Sequence, residues 1–354
     1  MIRYPHTRGR KPAALRKGAT AGVSNVPGKR VTLQDIARAT GYTANTVSHA
    51  LKDKPDIAPQ TREHIQNVAR QMGYVRNEMA GALRSGRTKT LGLIVGGMSN
   101  PFYSKMTDDI QDEAMAAGYS LMIFCSRDDP DLEYRLLETA ISRQVDGILL
   151  FPCRGSQRGI DRMRALNIPY VLMSRYLVPG QDDCVVCDEE QGGYLATMHL
   201  IQAGRRPGYI YRFDAIYSAE ERKKRFLRAC GESGLSSAPY AMCKTDEEVC
   251  RLLLRWREQG INGLFLFCDQ EAWSAYSLLS KMHLRIPEDF AIVGYDNVQG
   301  AWPLPSALCS VDYRTRDMVR SGIALLMHRM SDRRSAPETI VFQPRIICRG
   351  SCGK

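Results

Sequence analysis

Nowhere do the 354 residues run to ~18 uninterrupted apolar positions, so no membrane span is expected. The opening stretch MIRYPHTRGRKPAALRKG contains no apolar core of the kind a secretory signal needs, so the chain is expected to stay in the cytoplasm. Three enzyme signatures are also missing: a GxGxxG after the first strand-like run, a P-loop and a GxSxG elbow. Without them the chain is not expected to be an enzyme, and no cofactor is expected. Cysteine is plentiful at 11, but close pairs are few, namely Cys184 with Cys187 and Cys348 with Cys352. The first pair lies in CVVC, which reads as a strand, where positions i and i+3 face opposite sides and cannot share a metal. No second CxxC and no HxxxH completes a set. The thiols therefore read as buried and reduced, with a metal or redox role as the alternative and no metal site expected.

Acidic residues are absent from positions 1–30, which carry eight Lys+Arg. Residues 1–89 hold 17 Lys+Arg against 5 Asp+Glu, whereas the remainder holds 32 against 33. The whole basic excess of the chain, +11 overall, thus sits in its first quarter. Such asymmetry points to a polyanion-binding module on a neutral body. A solvated basic tail would account for residues 1–30 but not for the pattern that follows.

From Val31 the sequence becomes periodic. VTLQDIARAT starts with Thr32 and places Asp35 three residues on, a capping-box arrangement, and Gly41 ends that helix. Thr43 is placed to cap a second helix from about Ala44 to Leu51. A short helix, a turn with glycine and another short helix make a helix-turn-helix. At ~100° per residue, Val47 and Leu51 face one way while Asn45, Thr46 and His49 face the other. The first face suits a core. The second suits a major groove, where Asn reads adenine and a polar ring reaches base edges. A third helix, PQTREHIQNVARQMG, begins with Pro59 at its first position, buries Ile65, Val68, Ala69 and Met72, and has the poor cap Ala58 before it.

From Thr90 apolar runs alternate with helical patterns. TLGLIVG, YSLMIFCS, DGILLFP and IPYVLMS read as buried parallel strands, and PGYIYRF, GLFLFC and FAIVGYD form a second series. Repeated βα units predict doubly wound sheets, with ligands in the crevice at the strand carboxyl ends. Two series predict two subdomains with a cleft between them.

The chain resembles the LacI/GalR (lactose repressor) family. The resemblance rests on VTL-D-A, TVS in the second helix, TR early in the third, GY--N after it and A--L before GLIV. Further along it rests on SNPFY at 99–103, VDGILL at 145–150, D---GG from Asp188, RIPEDFAIVGYDN at 285–297 and ALCSVD at 307–312. It implies an all-α helix-turn-helix domain followed by a periplasmic-binding-protein-like α/β domain of two doubly wound subdomains. The expected layout is a basic tail at 1–30, the DNA-binding domain at 31–76, a hinge helix and linker at 77–89, and an effector and dimerisation domain at 90–354. The two subdomains are expected at about 90–188 plus 313–342 and about 189–312 plus 343–354.

By the same resemblance Ala44, Asn45 and His49 read bases, and Thr32, Thr46 and Ser48 contact phosphate. Asn77, Ala80, Leu83 and Arg84 belong to the hinge, with Leu83 as the wedge that kinks the duplex. Gly81 stands where relatives carry Arg or Gln, and a glycine costs ~1 kcal/mol in a helix interior, so this hinge folds less readily. Effector contacts are expected from Phe102, Tyr103, Ser174, Arg222, Asp269 and Asp296. Ser174, Cys268, Thr245 and Ile216 depart from the sugar-binding pattern, which implies an effector other than a plain hexose or a more apolar cleft. The reading is a homodimeric repressor of a palindromic double-stranded operator, released or promoted by a small-molecule effector, a sugar derivative or other metabolite. No membrane partner is expected. A secreted binding protein would need a signal sequence and no basic module. Residues 1–30 add non-specific phosphate contacts or reflect a misassigned start.

Overall fold

The computed structural model describes residues 30–75, 86–212, 217–235, 237–300 and 307–354. Their contacts divide the chain into two compact units, Met1–Glu78 and Met79–Lys354. The hinge positions Asn77, Ala80, Gly81, Leu83 and Arg84, and also Ile216, lie outside the described residues.

The first unit contains three helices: α1 (Leu33–Thr40), α2 (Ala44–Ala50) and α3 (Pro59–Gln71). The α1 start is a full capping box. The Thr32 side chain accepts from the Asp35 N–H, and the Asp35 carboxylate accepts from the Thr32 N–H. The Thr32 hydroxyl, which also donates to the Asp35 carboxylate, and then the Thr32 N–H hold that carboxyl at about 2, below the usual range. Gly41 closes α1 with φ +76, a left-handed conformation that a side chain would disfavour. Ile36, Val47, Ala50 and Ile65 are wholly buried and Ala69 nearly so, while Met72 packs on them half-buried. One residue of the expected stripe, Val68, is only half-buried.

The second unit holds two six-stranded sheets. The first contains β1 (Thr90–Val95), β2 (Ser120–Cys125), β3 (Gly147–Leu150), β4 (Tyr170–Met173), β5 (Cys184–Cys187) and β11 (Thr339–Phe342), in the order β11-β5-β4-β3-β1-β2. The second contains β6 (Pro207–Tyr211), β7 (Tyr240–Met242), β8 (Gly263–Leu266), β9 (Ala291–Tyr295), β10 (Cys309–Asp312) and β12 (Arg345–Ile347), in the order β12-β10-β9-β8-β6-β7. All described pairings are parallel except β10 with β12. Helices connect the strands: α4 (Pro101–Ala116), α5 (Pro130–Ser142), α6 (Gln157–Ala165), α7 (Glu189–Gln202), α8 (Tyr217–Glu232), α9 (Asp246–Glu258), α10 (Asp269–Lys281) and α11 (Thr315–Ser331). The chain passes from the first sheet to the second after β5, returns through α11 to β11, and crosses again into β12.

The central strands are buried along their length, as their unbroken apolar runs predict. YSLMIFCS is a correction to that reading. As β2 it forms a sheet edge, and Ile123 is 43% exposed. Strands β7, β10, β11 and β12 have no counterpart among the eight expected strands, CVVC included, because such three- and four-residue strands carry too little apolar pattern. No described helix is long and apolar enough to cross a membrane.

Ala58 precedes α3 with extended φ −54 and ψ 140 and supplies no side-chain cap. An Ala58→Ser variant is expected to gain ~1 kcal/mol, measured as a rise in the denaturant midpoint of the helix-turn-helix transition. An unchanged midpoint would show that the first turn of α3 satisfies its N–H groups elsewhere.

Candidate DNA-binding helix and effector cleft

Helix α2 turns Val47 and Ala50 into the three-helix core and leaves Asn45 exposed, with Ala44, Thr46, Ser48 and His49 half-buried. The Thr43 side chain caps the helix by accepting from the Thr46 N–H at 3.2 Å, and the two hydroxyls lie 2.8 Å apart. The His49 Nδ1 lies 2.6 Å from the Asp56 carboxylate, which is held below its usual range by that bond. If Nδ1 carries the proton it gives to Asp56, Nε2 is left to accept when the ring is neutral and to donate when it is charged. Gln66 of α3 donates to the Ala50 carbonyl and to Asp53, bracing the end of α2. The Thr32 hydroxyl is engaged within the capping box, donating to Asp35 at 2.7 Å. Asp56 is the residue here that sequence reasoning missed, since nothing in the loop KDKPDIA marks it as facing His49.

In the second unit the carboxyl ends of the strands converge. Asn100 caps α4 after β1 and sets Phe102 and Tyr103 against one another, with ring centroids 5.4 Å apart. Phe102 also packs edge-on against Tyr313, just after β10, at 5.3 Å. The Tyr313 hydroxyl lies 2.8 Å from the Ser174 Oγ and donates to the Glu189 carboxylate at 2.8 Å. Glu189 in turn grips Arg222 through two bonds, Nε to Oε2 at 2.7 Å and Nη2 to Oε1 at 3.2 Å. The Arg222 guanidinium sits 3.4 Å over the Tyr295 ring and also donates to the Phe267 carbonyl. Arg175 reaches the Tyr103 hydroxyl at 3.3 Å and the Pro152 carbonyl at 3.2 Å. Aromatic rings, one forked ion pair and several hydroxyls thus form a connected set from both sheets.

Asp296 follows β9, is 8% exposed, and belongs to this set electrostatically. Burial pushes its carboxyl well above the carboxylate range against the pull of Arg222. Both Ser174 (φ +68) and Asp296 (φ +99) occupy left-handed backbone at strand ends, a strain that folded proteins retain chiefly at functional turns. Asp269 is placed differently from the other expected contacts. It is fully buried, and its two oxygens accept from the Val298 N–H and the Ser310 hydroxyl. It therefore props the turn that carries Asp296 rather than facing outward. Thr245 caps α9, and Cys268 precedes α10 without a side-chain cap. Glu189, Arg175, Tyr295 and Tyr313 were missed by sequence reasoning. The one signal available was the Asp-Glu-Glu start of α7, which reads as ordinary helix-end acidity.

A cavity of about 240 Å³ opens beside Ser174, Arg175, Cys187 and Glu189. Of the expected effector contacts it is lined by Ser174, whereas Phe102, Tyr103, Arg222, Asp269 and Asp296 lie outside its lining. The buried Tyr295 hydroxyl, on the ring that faces the Arg222 guanidinium, lacks a hydrogen-bond partner among the described residues.

Three family descriptions match the sequence: bacterial regulatory proteins, lacI family, over residues 32–77; periplasmic binding proteins and sugar binding domain of LacI family, over 88–255; and periplasmic binding protein-like domain, over 197–352. The chain belongs to the lacI family of bacterial regulatory proteins. It is similar to the HTH-type transcriptional repressor PurR of Mannheimia succiniciproducens, 24% identical over 91% of this chain and 99% of that one. It is also similar to the ribose operon repressor of Haemophilus influenzae, 27% identical over 90% of this chain and 98% of that one. Its fold matches the lac repressor dimer bound to operator and the anti-inducer ONPF, with a TM-score of 0.76 at 18% identity over 92% of this chain and 99% of that one. This lacI-family chain is a bacterial regulatory protein whose second unit matches the periplasmic-binding-protein-like domain.

Burial pushes the Glu271 carboxyl from 4.5 to about 7, against the attraction of Arg212. A carboxyl whose folded value is raised keeps its proton while the unfolded chain has lost it, so stability falls as pH rises from about 4.5 to about 7. Asp269 adds to the same trend, since burial pushes it to about 7 as well. Replacing Glu271 by Gln is expected to remove roughly 3 kcal/mol of that decline, read as a shallower slope of unfolding free energy between pH 5 and about pH 7.5. An unaltered slope would mean that the carboxyl gains a partner on ionisation.

Proposed function

We propose that this repressor acts as a homodimer on a palindromic operator and that a small molecule in the cleft sets its affinity for DNA. The observation that carries the DNA reading is α2 itself. It leaves Asn45 exposed and holds His49 at a defined angle through Asp56. Asn45 offers the bidentate pair that suits adenine, and a single His49 nitrogen reaches one base edge. Ala44 gives an apolar contact, while Thr46 and Ser48 serve phosphate. Thr32 contributes through the start of α1 that it caps. In the hinge, outside the described residues, Leu83 is the proposed wedge between base steps, and Asn77, Ala80 and Arg84 are the other proposed DNA contacts.

Phe102, Tyr103, Ser174, Arg222 and Asp296 contact the effector, and Asp269 supports Asp296 from behind. Arg222 lends a planar fork, the aromatic rings supply stacking, and the raised Asp296 carboxyl donates as well as accepts. Effector binding changes the closure of the two subdomains and so the spacing of paired hinges. The protein works in the cytoplasm, where its operator lies.

Selection of a random duplex library by the full chain, at fixed near-physiological salt, tests the first reading. A palindrome should be enriched, and the enrichment should vanish in an Asn45→Ala/His49→Ala variant. Enrichment of a non-palindromic sequence, or one that survives both substitutions, would place base reading elsewhere. Calorimetry tests the cleft. Its aromatic filling predicts no sub-millimolar affinity for a common unmodified hexose, and such an affinity would refute the apolar-cleft reading.

A further inference from the structure

In the sequence only Cys348 and Cys352 of this group lie close together, yet the fold brings them and Cys309 to one histidine. His199 comes from α7, Cys309 opens β10, and Cys348 and Cys352 follow β12. One ligand atom from each lies within 4.8 Å of all the others. The Sγ atoms of Cys309 and Cys348 are 3.7 Å apart, and those of Cys348 and Cys352 are 3.6 Å apart. A disulfide needs ~2.05 Å. Four ligands around a tetrahedral zinc ion with ~2.3 Å bonds place their sulfurs ~3.8 Å apart. The observed spacing therefore matches ligands around an ion and not a bond between them. From these contacts we propose that His199, Cys309, Cys348 and Cys352 form a Cys₃His site for a soft divalent cation, zinc by its chemistry.

Four further features fit a metal centre. His199 is 7% exposed, and its Nε2 is buried with no hydrogen-bond partner, a cost that ligation would remove. The Arg349 N–H donates to the Cys309 sulfur at 3.2 Å, the kind of backbone bond that steadies a ligating thiolate. Ser351 lies between the last two ligands and locks the loop, accepting from the Cys309 N–H at 2.7 Å and donating to the Ile292 carbonyl at 2.6 Å. Gly350 has φ +99, so the loop CRGSC curls tightly enough to turn both of its thiols to one side. Three thiolates and an imidazole suit zinc and discriminate against calcium or magnesium, which take oxygen. The ion would tie the segment after β12 to the second sheet and to α7. Since α7 also carries Glu189 at its other end, the site sits on the helix that organises the effector cleft.

The test is elemental analysis of the untagged full chain, purified without chelator from zinc-replete cells. About one zinc per chain is expected. After chelator stripping, cobalt should restore binding with visible d–d bands of a tetrahedral ion and near-ultraviolet thiolate charge transfer. Cys348 is exposed, so Cys348→Ser should fold while losing at least ~10-fold in metal affinity. Cys250→Ser, outside the cluster, should keep its metal. Stripping should lower the thermal midpoint of the wild type and leave that of Cys348→Ser unmoved. Absence of stoichiometric metal with no tetrahedral cobalt spectrum would overturn the proposal. So would a mass reduced by a hydrogen pair, the mark of a disulfide, or full metal retention in Cys348→Ser.

Discussion

The effector domain is organised around one buried ion pair, Glu189 with Arg222. Both side chains are withdrawn from water, which costs several kcal/mol per ion unless each charge finds several partners. Arg222 finds the carboxylate, the Phe267 carbonyl and the Tyr295 ring, and Glu189 also takes the Tyr313 hydroxyl. The pair joins the start of α7 to α8. That junction is close because Gly192 and Gly193 leave room. A methyl at Gly192 would fall on the Tyr295 hydroxyl, and one at Gly193 would lie 2.8 Å from the Arg222 carbonyl oxygen. Two small residues thus let two helices approach, and the approach brings a cation over an aromatic ring at the floor of the cleft.

From that floor the contacts run outward in both directions. Tyr313 carries them to Ser174 and Phe102 on the first sheet, and Tyr295 leads to Asp296 on the second. The linking side chains belong to both sheets, so the set ties one sheet to the other. Left-handed backbone at Ser174 and Asp296 puts strained turns on either side of it.

The DNA-binding unit rests on the opposite principle. Its core is small, five well-buried apolar side chains, and much of its order comes from caps and turn bonds. A polar helix face can then stay available for bases without costing the core anything. The His49–Asp56 bond limits the rotation of the one ring expected to reach a base edge.

Local chemistry is legible in the sequence by itself. The Thr32–Asp35 capping box, the Gly41 stop, Pro59 at the head of α3, the uncapped Ala58 and the apolar runs of the central strands all follow from neighbours three or four residues apart. The basic first quarter and the motifs shared with the lacI family also lie within single stretches. Only the tertiary structure decided what depends on distant partners. Asp56 meets His49, Glu189 meets Arg222, Asp269 turns inward to Ser310, and His199 meets three cysteines more than a hundred residues further on. Margin strands such as β12 were hidden for the same reason, since a three-residue strand exists only because β10 offers it an edge. Periodicity records which side of an element is buried, but not which residue of another element will be waiting there.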